Sequence, residues 1–468
     1  MPRWIPSEPG EEEPLLAALG LNDVEELFRD VPEPVRMGRM GLGAPLEEID
    51  VVRRIDRILS RNRTHSRYPA FLGGRVGLRY VPAAVDALLL RSEFYTSYTP
   101  YQPEASQGML QSLFEFQSLW VELTGLDAAN ASLYDGATAA GEALLLCRRL
   151  KEGHRFLIPA SLPWEEKSVL ANYAAGLGIR IEEIPYDPAS GLLDLAWIRE
   201  AVGRGEVFGL LADLPNGFGG LDEGMPELKG SLGGAPLVVA PDPLALAVLE
   251  PPGAYGADIV VGEGQGFGTP PSFGGPLLGL FACRAEHLRL TPGRIVGATR
   301  DAAGRRAFTL TLQTREQHIR RSRATSNICT NQSLLALAFV AYASLVGPRG
   351  LERLAHRLSE RARLLAQALG RSPALRAPAF SAPFLWEFAV SVRAGSAREF
   401  LDRLAAARVL GGTPIGDPRP GRAGAEEALF LTAATEFTDR RAIRRYARAV
   451  GGEPPGEVAA EASRGGGP

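Results

Sequence analysis

A loop rich in hydroxyl, amide and carboxylate side chains precedes a long predicted helix and is the first candidate for chemistry. Pro100 and Pro103 keep this loop out of helix, because proline lacks a backbone N–H and restricts the residue before it. The density of polar groups favours a binding loop, although tyrosines of a surface loop also serve packing alone. The side chains assigned to this candidate site are Tyr95, Tyr98, Thr99, Gln102, Glu104 and Gln107.

An arginine-rich segment, Gln313–Gln332, is the second candidate. Guanidinium groups bind carboxylates and phosphates through paired hydrogen bonds, so the segment suits an anion. A run of arginines is more often a solvated helix face, and the neighbouring His318 is more often structural than catalytic. The side chains of interest here are Arg320, Arg321, Ser326 and Asn327.

Two further positions lie where an α/β enzyme binds its ligand. The turn from Asp135 through Gly136 to Thr138 leads into a predicted helix, and small residues there let a phosphate approach the free N–H groups at the positive end of the helix dipole. Asp242 follows a predicted strand, at the edge of a parallel sheet where ligands bind. Two roles stay open for Asp242: pairing with a pyridinium nitrogen, or forming a turn between two prolines.

The glycine-rich segment Gly262–Pro276 fits neither a dinucleotide fingerprint nor a phosphate loop. It follows a predicted strand, where a pyridoxal-phosphate enzyme of this layout would carry its lysine, yet it contains none. Lysine-dependent chemistry therefore has few candidates. The lysines of the chain are Lys151, Lys167 and Lys229. The histidines show no metal-ligand spacing, so no metal site is predicted.

Composition places the chain among globular proteins. It has 468 residues, 45% of them hydrophobic, and a net charge of −3, which offers no attraction to nucleic acid or an anionic membrane. Its three cysteines are odd in number and widely spaced, which favours a reducing compartment. We find no signal segment and no apolar run long enough to cross a bilayer. These observations predict a cytoplasmic protein.

Short apolar strands alternate with helices after residue 150, which indicates a mostly parallel sheet covered on both faces. The long predicted helix begins at Ser106, a plausible N-cap, and ends at Gly125. Near the N-terminus, Asn22 is expected to cap a short helix with Glu25 as its partner. The predicted organisation is a helical segment at 1–90, a large α/β domain at 91–345, a small α+β domain at 346–450 and a disordered tail at 451–468.

Two long motifs carry a family resemblance, YTPYQPEASQGMLQSLFEFQ and TREQHIRRSRATSNICTNQ. They resemble the P-protein of the glycine cleavage system, a glycine dehydrogenase (decarboxylating). The resemblance extends over nearly the whole chain, through ELFRDVPEPVR, SLYDGATAAGEALLL and YGADIVVGEGQGFGTPPSFGGPLLG. In this family some organisms make one chain with two related halves and others make two subunits, and this chain resembles the α subunit. Arg323 departs from the family pattern, where lysine is frequent, which weakens an ion-pairing role there.

The resemblance implies the fold-type-I pyridoxal-phosphate transferase fold. In the related β half, a His-Lys pair holds the cofactor as a Schiff base. Aligned through the shared Gly-Gly-Pro, Gly264 falls at the histidine and Gln265 at the lysine, and an amide cannot replace the amine. The resemblance therefore implies no catalytic residue in this chain, with pyridoxal phosphate bound by the β subunit. It also implies a vestigial cofactor pocket formed by Asp135, Gly136, Thr138, Asp242 and Gln265.

The implied reaction is decarboxylation of glycine, followed by transfer of the aminomethyl group to the lipoyl arm of H-protein. The implied assembly is a heterotetramer of two α and two β chains. The polar loop and the arginine segment are expected near the β cofactor site, supporting the substrate. Two alternatives stay open: a purely structural degenerate subunit that stabilises β, and a stand-alone pyridoxal-phosphate enzyme that uses a displaced lysine.

Overall fold

A computed structural model describes residues 10–37, 41–416 and 428–451. The chain forms two compact units, Met1–Arg63 and Thr64–Pro468. The first unit contains helices α1 (Glu12–Leu19) and α2 (Glu48–Leu59), and none of its described residues is buried. The predicted cap at Asn22 is wrong by one residue. Asp23 is the residue that caps a 3₁₀ turn, by accepting the N–H of Glu25 at 2.8 Å.

The second unit contains the remaining helices and all the described strands. The helices are α3 (Ala83–Leu89), α4 (Ser92–Tyr95), α5 (Gln107–Thr124), α6 (Gly136–Leu150), α7 (Trp164–Ala174), α8 (Leu195–Gly203), α9 (Met225–Ser231), α10 (Gln317–Arg320), α11 (Ser333–Val346), α12 (Pro348–Leu369), α13 (Ala397–Ala406) and α14 (Arg440–Ala449). The strands are β1 (Ala128–Ala129), β2 (Arg155–Pro159), β3 (Arg180–Ile184), β4 (Val207–Leu214), β5 (Leu237–Pro241), β6 (Ile259–Glu263), β7 (Gly279–Cys283), β8 (Ile295–Arg300), β9 (Arg306–Thr311), β10 (Leu375–Arg376), β11 (Glu387–Val392), β12 (Thr413–Pro414) and β13 (Leu429–Ala433).

The large sheet has seven strands in the order β1-β7-β6-β5-β4-β2-β3. Strands β3, β2, β4, β5 and β6 are parallel, while β7 pairs antiparallel with both β6 and the edge strand β1. All eight residues of β4 are buried, as a parallel strand covered on both faces requires. The prediction of a mostly parallel sheet is confirmed.

A second sheet, β10-β11-β13-β12, is antiparallel, and its core side chains include Phe71, Phe430 and Tyr446. A separate hairpin of β8 and β9 packs on α5, and it was not predicted. The division at residues 90, 345 and 450 stays a prediction. Residues 452–468 of the predicted disordered tail lie outside the described residues.

Helix α5 ends as predicted, with Gly125 in the left-handed conformation at φ 68°. Ser106 occupies the N-cap position, but its hydroxyl makes no capping hydrogen bond. The segment ahead of α5, predicted as a loop outside helix, contains two short helical turns. Tyr95 is the last residue of helix α4, and Pro103–Ala105 forms a 3₁₀ turn.

Candidate functional site

A cavity of about 860 Å³ lies at the carboxyl ends of the parallel strands. It is lined by residues at or after the ends of β2, β5 and β6, by the start of α6, and by Leu431 and the chain around Thr413 from the second sheet. This is where parallel α/β sheets bind ligands. Two of the predicted pocket residues, Asp135 and Gly136, line it.

The start of α6 is already occupied by carboxylates of the chain. Asp135 accepts the N–H of Thr138 at 2.7 Å, and Glu263 accepts the N–H of Gly136 at 2.9 Å. A side chain at Gly136 would lie 3.1 Å from atoms of Glu263, so only glycine fits easily there. The positive end of the helix dipole therefore faces two internal anions.

Glu263 was not singled out by sequence reasoning, although it lies within the glycine-rich segment. Its second oxygen accepts the N–H groups of Gln265 and Leu278, both at 2.9 Å. Burial raises the pKa of this carboxyl to about 7, against the opposing effect of the three N–H donors.

A smaller cavity of about 50 Å³ adjoins the first and is lined by Gln265 and Asp242. Gln265 is fully buried; its oxygen accepts the N–H of Gly77 at 3.0 Å and its amide nitrogen donates to the Thr269 carbonyl. The Gln265 side chain thus has both ends fixed by backbone.

Asp242 follows β5 as predicted, and of its two open roles the contacts support the turn. One oxygen accepts the N–H of Leu244 at 2.9 Å, which makes the turn. The other accepts the Trp386 indole N–H at 3.2 Å and lies 3.6 Å from the Arg79 guanidinium. In this chain a cation of the protein itself already faces the carboxylate.

Arg75 is a further residue that the sequence did not single out, and it lines both cavities. It donates to Glu166 at 2.6 Å and to the Ala240 carbonyl at 3.3 Å, and it lies 3.5 Å from Asp213. Burial opposes its charge, but the two carboxylates outweigh burial and raise the pKa of Arg75. Burial also raises the pKa of Asp213 to about 6 in spite of this cation.

The polar loop lies apart from both cavities, since none of its predicted site residues lines either one. Tyr95 is 63% exposed and Tyr98 is 73% exposed, and Gln102 and Glu104 are exposed too. Gln107 differs from these. Its amide group exchanges two hydrogen bonds with the backbone of Phe308 in β9, at 2.8 and 2.9 Å, so it holds the hairpin against α5.

Arg294 joins the polar loop to the arginine-rich segment. Its guanidinium, in a residue only 3% exposed, donates to the hydroxyls of Thr99 at 3.2 Å and Tyr101 at 3.3 Å. The same group donates to the Asn331 side-chain oxygen at 3.3 Å and lies 3.9 Å from Glu316. The two candidate regions are therefore neighbours, connected by a residue that carried no sequence signal.

Within the arginine-rich segment the four predicted side chains differ in environment. Arg320 is exposed and donates to the Thr314 carbonyl at 3.1 Å. Arg321 is exposed and has φ of 53°, a strained conformation for a residue with a side chain, of the kind that clusters at functional sites. Ser326 is buried and accepts the N–H of Ile328 at 3.0 Å, whereas Asn327 is exposed.

The described part of the chain bears on two other functions, metal binding and membrane spanning. No group of three or more His, Cys, Asp or Glu side chains there could hold a metal ion. No single helix there is long and apolar enough to cross a membrane, and α11 and α12 meet such a test only as a pair bent by 88°.

Comparison with known proteins shows the family of this chain. A family model described as glycine cleavage system P-protein matches residues 2–411. The chain is 43% identical over 418 residues to the probable glycine dehydrogenase (decarboxylating) subunit 1 of Desulfitobacterium hafniense, which covers 88% of this chain and 92% of the relative. The subunit 1 of Thermoplasma acidophilum is 41% identical over 439 residues, covering 93% of this chain and 98% of the relative.

Solved structures agree with this. A crystal structure of the glycine decarboxylase (P-protein) of the glycine cleavage system, in inhibitor-bound form, aligns with a TM-score of 0.85 and 38% identity, covering 96% of this chain and 99% of that one. The cystine C-S lyase C-DES aligns with a TM-score of 0.60 at 16% identity, covering 83% of this chain and 99% of that one, which shows the fold alone. The predicted fold-type-I pyridoxal-phosphate transferase fold is confirmed.

Proposed function

Since the chain belongs to the glycine cleavage system P-protein family, we propose that it is the α subunit of a glycine decarboxylase and acts with a related β subunit. The observation that carries this proposal is the buried Gln265 amide, in a chain that matches proteins named subunit 1 over nearly their full length. The complex decarboxylates glycine with pyridoxal phosphate and transfers the aminomethyl group to the lipoyl arm of H-protein.

The residues around the vestigial pocket do not fit pyridoxal phosphate. Gln265 offers an amide in place of an amine, and that amide is fixed at both ends by Gly77 and Thr269. At the start of α6, where a phosphate would bind, Glu263 and Asp135 already accept the N–H groups. We therefore assign the cofactor to the β subunit and derive no catalytic step within this chain.

The polar loop is proposed to support the β active site. Tyr95 and Tyr98 are exposed at the surface. The buried Arg294 donates a hydrogen bond to the hydroxyl of the neighbouring Thr99. A loop fixed in this way can place donors near a glycine carboxylate or a cofactor phosphate at little ordering cost. The arginine-rich segment beside it adds guanidinium groups suited to the same anions.

The proposed assembly is a heterotetramer of two α and two β chains, with lipoylated H-protein as the transient partner. We also propose a cytoplasmic location, because all three cysteines are free thiols and Cys329 is exposed.

The stand-alone alternative needs a lysine that can reach a cofactor. Lys167 is the lysine that lines the large cavity, and its ammonium is held by Glu183 and the Ala160 carbonyl, both at 2.7 Å. Lys229 pairs with Asp258 at 2.6 Å, and Lys151 donates to the Gly233 carbonyl. Forming a Schiff base at Lys167 would first require breaking its ion pair.

Reconstitution tests the proposal. The chain, its β partner and their mixture are assayed for exchange of the glycine carboxyl carbon with bicarbonate, with pyridoxal phosphate present. We expect full exchange only in the mixture, and a visible cofactor band that borohydride fixes to the β chain. Exchange by this chain alone, together with a band lost in Lys167→Ala, would establish the stand-alone alternative. Unchanged activity of β without this chain would overturn the supporting role.

A further inference from the structure

The start of α6 carries the arrangement of a phosphate-binding site, with carboxylates of the chain in the place of the phosphate. Three backbone N–H groups converge on one carboxylate: those of Gly136 in α6, Gln265 after β6 and Leu278 before β7. Each donor lies 2.9 Å from an oxygen of Glu263, which is 8% exposed. Converging backbone donors at a helix N-terminus are how proteins hold phosphate.

We infer that the Glu263 carboxylate is a built-in substitute for a bound phosphate, which holds α6 against β6 and β7 without any cofactor. This inference concerns the chain by itself and does not depend on the proposed partner. It accounts for the persistence of a cofactor-type fold around a pocket whose own residues do not fit the cofactor.

The contacts of Glu263 support this role over that of an ordinary ion pair. Its partners are backbone N–H groups and the dipole of α6, whereas Arg75 is paired with Glu166 and Asp213. Neighbouring Asp135 adds a second negative charge at the same helix start. A phosphate entering this place would meet two negative charges and N–H donors that are already engaged, so both charge and hydrogen bonding oppose its binding.

The three donors lie at the ends of three different elements. Gln265 follows β6, Leu278 precedes β7, which pairs with β6, and Gly136 opens α6, which packs on both strands. Removing the carboxylate would leave buried N–H groups without an acceptor at the junction of all three elements. The large cavity, which both Gly136 and Glu263 line, gives a small anion a route to the vacated place.

Replacing the carboxylate by an external anion tests the inference. We compare thermal melting of the full-length wild type, Glu263→Ala and Glu263→Gln at pH 8.5, in sodium phosphate and in sodium chloride of matched ionic strength. In chloride, Glu263→Ala should melt several degrees below wild type. Phosphate well above its dissociation constant should raise the melting temperature of Glu263→Ala by roughly 2–5 °C, with no such rise in wild type or Glu263→Gln.

Glu263→Gln is the matched control, because its amide still fills the space and leaves none for phosphate. For Glu263→Gln, and likewise for wild type, the melting temperature should be the same in phosphate and in chloride. The double variant Glu263→Ala with Asp135→Ser keeps a helix cap, removes one charge and should need less phosphate for the same gain.

A Glu263→Ala protein that melts like wild type in chloride would overturn the inference, as would a phosphate gain of equal size in wild type. A variant that stays unfolded in phosphate would overturn it too, because phosphate should take the place of the carboxylate. Glu263→Ser, which retains one acceptor and leaves space, carries the same expectation in a second variant.

Discussion

The cavities at the sheet edge and the polar loop differ in whether their polar groups have partners within the chain. Around the two cavities, Gln265, Glu263 and Arg75 are all engaged by partners within the chain. On the polar loop, Tyr95 and Tyr98 keep most of their surface exposed. The polar groups beside the cavities are thus held by partners within the chain, whereas the tyrosines of the polar loop face outward.

The largest effect expected from this contrast is on catalysis by the chain alone. We expect no measurable exchange of the glycine carboxyl carbon by the purified chain, and none after Gln265→Lys. The lysine would lose the bonds to Gly77 and Thr269 and place an ammonium in a fully buried position, where burial lowers its pKa. Gly264 also supplies no imidazole. Turnover by the variant comparable with that of the complex would contradict this prediction.

The next effect concerns Arg294, as a positioning residue of the polar loop. Arg294→Gln should lower kcat of the reconstituted complex by roughly 10- to 100-fold, because it frees Thr99 and Tyr101 and leaves Glu316 buried without its cation. Assembly with β should persist. Arg294→Lys, which keeps the charge but loses the fork, should recover only part of the rate.

The matched control for Arg294 is Arg305→Gln, on the exposed turn of the β8–β9 hairpin. It should leave kcat unchanged. If Arg294→Gln acts only by weakening the complex, excess β will restore wild-type kcat, and the positioning role will be wrong.

An effect of similar size is expected from the surface hydroxyl of Tyr98. Tyr98→Phe should raise the activation free energy of turnover at saturating β by about 1.5–3 kcal/mol, the effect of losing one hydrogen bond to a charged group. Thr99→Ala tests the same surface less cleanly, because the Thr99 hydroxyl also holds Arg294. Tyr80→Phe, an exposed tyrosine outside the loop, serves as the control. Wild-type rates for Tyr98→Phe would leave this residue with a packing role only.

The smallest effect is on stability against pH. Burial raises the pKa of Glu263 to about 7, so the native state binds more protons than the unfolded state between pH 4.5 and 7. Stability should therefore fall as pH rises through this window, by about 1 kcal/mol between pH 6 and pH 7 from this group. Asp213, with its pKa raised to about 6, adds to the slope below pH 6. Chemical denaturation across this range should show that the free energy of unfolding changes less with pH in Glu263→Gln than in wild type. The same pH dependence in both proteins would show that Glu263 is not the titrating group.

Sequence patterns were sufficient for the main elements because their signals are local. The apolar runs of β2, β4, β5 and β6 and the glycine that ends α5 depend on neighbouring residues. The short hairpin of β8 and β9 escaped prediction, since its pairing is stabilised by α5 more than 170 residues earlier in the chain, as the contact of Gln117 with Val296 illustrates.

The sequence by itself determined the family, the fold and the absence of lysine at position 265, because these follow from residue identity and local order. Only the tertiary structure decided which side chains accept the N–H groups at the start of α6 and which residue binds the polar loop. Glu263 meets Gly136 across 127 positions of the chain, and Arg294 meets Thr99 across 195. A carboxylate or guanidinium has no recognisable role until folding brings its partners within hydrogen-bonding distance and removes the water between them.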